Sequence, residues 1–200
     1  LFEALASTIA IAYRNASLYR AEKWRRNVAD SFRDVAYHIT ASASLEQILD
    51  MILARLETNL ACDAAAIWLL DGDTFTGIDP HTDTVHHPLR LAAVRGAAAD
   101  ELLQVMAQSP EIFVQLESIL SAEQPYVRAP ADAVGPLGIA LGYDSAYSSI
   151  VAPMRGGNHP LGLLTIVHHA PGRYGSEAQS MTTTFASYAA VAIQNTRLYA

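Results

Sequence analysis

Between Leu1 and Asp71 the chain has no glycine and no proline, the residues that most often interrupt helices; all eleven glycines and nine prolines follow. The first third is therefore predicted to be helical, and the remainder to consist of shorter, punctuated elements. Leu5, Ile9, Ala12, Ala16 and Tyr19 recur at steps of four and three, which places them on one helix face. Val28, Phe32, Val35 and Ile39 repeat the pattern out of phase, beyond a charged run that contains Arg20, Glu22, Lys23, Arg25 and Arg26. A single helix over residues 1 to about 41 would be about 60 Å long, more than one compact domain needs, so it must project or pair. Ser44 and Gln47 then match a capping box ahead of Ile48, Leu49, Ile52, Leu53, Leu56 and Leu60, and a second helix is expected there.

From Ala64 the texture changes to short apolar runs bounded by turn residues. Residues 65–70 and 89–95 are predicted strands, the second closed by Gly96, with a long polar loop between them. Residues 98–108 and 111–123 are predicted to form two short helices split by Ser109-Pro110, and Tyr126-Val127 suits a short strand. The proline- and glycine-rich stretch 130–142 is expected to be a loop that covers something. Residues 148–154 and 161–167 are predicted strands around a tight turn at 155–159. Ser176 caps a last helix on which Met181, Phe185, Tyr188 and Ala192 share a face. This order implies an α+β fold: an antiparallel sheet of five or six strands with helices on both faces, preceded by a long connector helix.

Composition narrows the chemistry. Half the residues are hydrophobic (51%) against 16% charged, enough for a real core, while a net charge of −7 repels phosphate backbones and anionic lipid. No nucleic-acid or membrane partner is expected. The single cysteine, Cys62, allows neither an internal disulfide nor a thiolate cage, which fits a reducing, cytoplasmic setting. Lys23 is the only lysine, so a phosphate-loop or Schiff-base lysine is excluded from the rest of the chain. No HExxH, CxxC or GxSxG motif occurs, and no catalytic residue is assigned. His86-His87 and His168-His169 invite a metal, but neighbours on a regular strand point to opposite faces, so no metal ligand is assigned either.

Laid over residues 181–200, residues 1–20 show seven identities, among them Asn15, Leu18 and Tyr19 on Asn195, Leu198 and Tyr199. Duplication is the preferred explanation: residues 1–20 would be the last helix of an upstream module, and the chain an excerpt from an array.

The stretch from residue 149 onward carries Ser149-Ile-Val-Ala-Pro-Met, Pro160-Leu-Gly-Leu-Leu, Tyr174-Gly-Ser-Glu, and Ala189-Ala-Val-Ala-Ile-Gln-Asn-Thr-Arg-Leu-Tyr199. Together with Ala64-Ala-Ala-Ile-Trp-Leu-Leu-Asp71 and Val94-Arg-Gly96, it resembles the GAF domain family over about residues 43–200, leaving 1–42 as an interdomain signalling helix. PAS domains share the architecture. The resemblance implies a sensory domain, usually dimeric through its terminal helices and placed upstream of an output module. Bilin-binding relatives attach their chromophore to a cysteine in the segment corresponding to 125–147, and none is present here. Cyclic-nucleotide relatives use a residue set that includes a lysine, which the domain lacks. No cofactor is assigned.

The expected site is a cavity between the sheet and the covering segment 97–147, with Arg95, Tyr143, Tyr147 and Ser149 as candidate polar contacts. Arg95 could meet either a bound anion or a nearby acid such as Asp100. A homodimer is expected through Leu5, Ile9, Ala12, Ala16, Tyr19, Met181, Phe185, Tyr188 and Ala192. The expected activity is non-catalytic: cavity occupancy biases the pose of the terminal helices. The alternatives are a ligand-free dimerisation spacer and a haem or metal sensor that uses the histidines.

Overall fold

The computed structural model describes residues 44–70, 89–109 and 111–199. The predicted connector helix, its stripe Leu5, Ile9, Ala12, Ala16 and Tyr19, and the 71–88 loop with His86 and His87 lie outside these residues. The described elements are α1 (Leu45–Asn59), β1 (Ala64–Leu70), β2 (Leu89–Arg95), α2 (Ala99–Gln108), α3 (Glu111–Leu120), β3 (Tyr126–Val127), α4 (Pro136–Ala140), β4 (Ser148–Gly156), β5 (His159–His168) and α5 (Ser176–Tyr199).

The capping box forms as the sequence implies. Ser44 Oγ accepts from the Gln47 backbone N–H at 3.3 Å, and Gln47 Oε1 accepts from the Ser44 N–H at 3.0 Å. From that start α1 buries Ile48, Leu49, Ile52, Leu53 and Leu56 along one side. None of the described helices is long and apolar enough to cross a membrane.

Five strands make one antiparallel sheet in the order β2-β1-β5-β4-β3. Its centre is the β1–β5 pair, in register from Ala64↔Val167 to Leu69↔Gly162. All seven residues of β1 are buried, because helices cover both faces of the sheet and an alternating polar face would have nowhere to go. Ala64, Ala66, Trp68 and Leu70 point toward α2, α3 and α4, where they join Leu102, Met106, Ile112, Leu116 and Leu137 in one cluster. By alternation Ala65, Ile67 and Leu69 face the opposite layer, in which α5 lies along β4 and against α1.

Two details refine the sequence reading. The β4–β5 hairpin is tighter than predicted: Gly156 already pairs with His159, leaving a two-residue turn whose Gly157 adopts a left-handed φ of 63°. Inside the expected 130–142 loop the chain makes a helical turn, α4, with Pro136 in its first turn, where the missing N–H goes unneeded. Gly138 in that turn packs on the Tyr147 ring; an added Cβ would come within 2.8 Å of Tyr147 Cζ. Pro153, in the middle of β4, lies beyond the two residues that β3 pairs, so it sits on a locally unpaired edge.

Candidate functional site

Beneath the covering segment the sheet leaves a partly open cavity of about 30 Å³, enough for one or two water molecules. Leu116 and Ile119 of α3, Leu137 of α4 and Val151, Thr165 and Val167 of the sheet supply most of its wall. Its polar lining includes Arg128, Tyr147, Ser149 and Thr165.

Arg128 organises this side of the molecule. It follows β3, its backbone N–H donates to Ser149 O at 3.0 Å, and it is only 8% exposed. Nε donates to Ala133 O at 3.2 Å, Nη2 to Asp132 O at 2.6 Å, and Nη1 to Ser145 O at 2.9 Å and Tyr147 O at 3.4 Å. Its Cζ also stands 4.3 Å from the centre of the Tyr147 ring. One guanidinium thus gathers both ends of the 129–147 cover. The Asp132 carboxylate closes the nearer turn by accepting from Tyr126 OH and from the Ala129 N–H. That hydrogen bond, then burial, pushes the Tyr126 phenol up to about 12, and the same hydrogen bond holds the Asp132 carboxyl below its ordinary range. Tyr147 OH accepts from the Gly135 N–H at 2.8 Å.

Two buried side-chain groups among the described residues lack a partner, Trp68 Nε1 in β1 and the Thr165 hydroxyl, and only Thr165 lines the cavity. It is 2% exposed, and its hydroxyl has no hydrogen-bond partner among the described residues.

Of the four predicted ligand contacts, the structure places Tyr147 and Ser149 in the cavity wall and the other two elsewhere. Arg95 turns toward α1, where Nε meets Glu57 Oε2 and Nη1 meets Asp50 Oδ1, each at 2.9 Å. Its acid partners are therefore Glu57 and Asp50, not Asp100, because the end of β2 abuts the helix that precedes the sheet. Tyr143 donates to Asp63 Oδ2 at 2.7 Å, tying the cover to the end of β1. Burial and that carboxylate raise its phenol well above the ordinary value.

On α5, Phe185 and Ala192 are buried within the chain itself and offer no surface to a second copy. The stripe they belong to is the one with which α5 covers its own sheet. Met181 and Tyr188 are half-buried.

Sequence reasoning also missed Arg128, Thr165 and Asp63. Arg128 carried one usable signal: it is the sole basic residue between positions 125 and 147. Asp63 gained its role from the pairing of β1 with β5, which brings it to His169, 106 positions away. There Asp63 Oδ2 accepts from the His169 backbone N–H and contacts His169 Nδ1 at 2.8 Å. The alternation that argued against a paired role for His168-His169 does not apply, because β5 ends at His168 and the two rings stack with centroids 4.4 Å apart.

Cys62, next to Asp63, is no nucleophile: burial first, and then the charges of Glu57 and Asp63, push its thiol up to about 12.

Among solved structures, the chain resembles the GAF domain of a phosphoenolpyruvate-protein phosphotransferase from Coxiella burnetii, at 21% identity and a TM-score of 0.57, over 87% of this chain and 96% of that one. It also resembles the phycoerythrobilin-bound GAF domain of a cyanobacterial phytochrome (17% identity, TM-score 0.57, 86% and 97% covered). A third similar structure is the A. aeolicus nlh2 GAF domain in an inactive state (13%, 0.56, 85% and 97%). No curated protein matches the chain. The sequence pattern of the GAF domain matches residues 44–193, from the Ser44 cap through the sheet and cavity to the body of α5, and the chain belongs to the GAF domain family.

Proposed function

We propose that this is a non-catalytic sensory domain of a cytoplasmic signalling protein, in which a small polar molecule enters the cavity, displaces the Arg128-held cover and thereby biases the terminal helices. The observation that carries this reading is the Thr165 hydroxyl, buried without a partner among the described residues in the cavity wall. An unmet buried polar group costs about 1–3 kcal/mol, and a ligand that bonds to it removes that penalty only in the occupied state. The cavity's about 30 Å³ is far below the roughly 300 Å³ that a drug-sized ligand needs, so entry of anything larger requires α3 and α4 to move. That requirement links binding to motion, as a population shift demands. A bilin like that of the similar phytochrome domain is not part of the proposal, since residues 125–147 contain no cysteine to hold it.

The relay would run through a homodimer formed by the terminal helices, with Met181 and Tyr188 of α5 and the stripe Leu5, Ile9, Ala12, Ala16 and Tyr19 as its surface. The test is a thermal-shift panel of amino acids, nucleotides and aromatic acids on the parent chain and on Thr165→Val. A compound that stabilises the parent but not the variant supports the ligand reading; a panel with no hit overturns it.

A second reading, a ligand-free dimerisation spacer, is favoured by the same small cavity volume. Sedimentation of the chain with and without residues 1–40 tests it, and a monomer in both cases ends every dimer-based reading.

A further inference from the structure

We propose that the end of the β1–β5 pair binds one divalent ion of the zinc, nickel or copper type through Asp63, His168 and His169. This site is separate from the cavity and does not depend on the sensory reading. The register that pairs Ala64 with Val167 sets Asp63, one residue earlier, opposite His168, and the Asp63 N–H donates to Val167 O at 2.8 Å to hold it there. His169 lies just past the strand end and is free of strand alternation, so both imidazoles reach the same side. One donor atom from each of the three residues lies within 4.8 Å of the other two. They are the one such group of three or more histidine, cysteine or acidic side chains among the described residues.

The donor set selects the class of ion. Two imidazoles and one carboxylate suit a borderline divalent cation, whereas calcium and magnesium prefer an all-oxygen shell. Asp63 is positioned for this role: Tyr143 OH, the His169 backbone N–H and His169 Nδ1 all meet its carboxylate. All three of those bonds fall on Oδ2, which leaves Oδ1 to face a cation. Tyr143 then orients the carboxylate from behind, as outer partners of metal ligands do.

Three protein donors leave a fourth position for water or another ligand.

The experiment is a calorimetric titration of the tag-free chain with zinc chloride, repeated on His168→Ala, His169→Ala, Asp63→Asn and the double variant His86→Ala/His87→Ala. One equivalent is expected to bind, with affinity reduced at least tenfold in each of the first three variants and unchanged in the double variant. Absence of a one-equivalent site, or binding that survives His169→Ala or disappears with His86 and His87, overturns the proposal. His169 is exposed, so its variant keeps the test decisive even where Asp63→Asn fails to fold.

Discussion

The two faces of the sheet solve the burial problem differently. On one, α1 and α5 cover the strands with a close-packed apolar layer in which Leu49, Ile52, Leu53, Leu56, Ala189, Ala192 and Ile193 are all fully buried. On the other, α2, α3 and α4 pack an apolar cluster of their own, but the long 129–147 cover is held by one arginine that bonds four backbone carbonyls. A hydrophobic layer is non-directional and stays filled; a hydrogen-bonded clamp is directional and can open as a unit. The first face suits a scaffold and the second a moving part.

The largest expected effect tests the scaffold. Leu53→Ala should lower unfolding free energy by about 2–5 kcal/mol in urea, because the packed layer cannot collapse onto the lost volume. A loss below about 1 kcal/mol would show that this layer yields as easily as the cover. Arg128→Lys comes next: it keeps the charge but not the fork that reaches four carbonyls, and should cost about 1.5–3 kcal/mol. Its signature should be local, with amide exchange rising across residues 129–147 and unchanged in α1. Uniform acceleration would remove the distinction between the faces.

Thr165→Val should raise stability by about 1 kcal/mol, since it removes an unmet hydroxyl while keeping the shape. A loss instead would mean that water already satisfies the group. The smallest effect concerns pH. The carboxyls of Asp63 and Asp132, both bonded to the cover side, are held below their ordinary values in the folded state. Their contribution is present above about pH 4 and is lost as pH falls through the lowered values. Asp132→Asn should therefore flatten the acid limb of the stability curve measured by circular dichroism; an unchanged limb would place the acid sensitivity elsewhere.

Elements with strong local signals were legible in the sequence. The Ser44–Gln47 box, the apolar runs of β1, β4 and β5 and the break at Ser109-Pro110 are written in neighbouring residues, and the antiparallel β4–β5 pair follows from its short turn. The site was legible in part. Tyr147 and Ser149 were found because they lie at the start of a predicted strand beneath a predicted cover. Arg95 was misplaced because a charged residue at a strand end shows nothing of which layer it turns toward. Asp63, Arg128 and Thr165 gain their roles from partners far along the chain or from lacking one, and local periodicity carries neither fact. The α5 stripe shows the same limit: its spacing revealed an apolar side but not that the chain's own sheet occupies it.

β5 carries Thr165 in the cavity wall and His168 three residues later at the sheet's end. At about 3.3 Å per residue the two lie about 10 Å apart on one strand, hydrogen-bonded on both sides and unable to stretch. A fluorine label on a residue introduced at position 169 would thus sense strain in the neighbouring hollow without touching it. A strand paired along both edges would serve as the domain's transmission line.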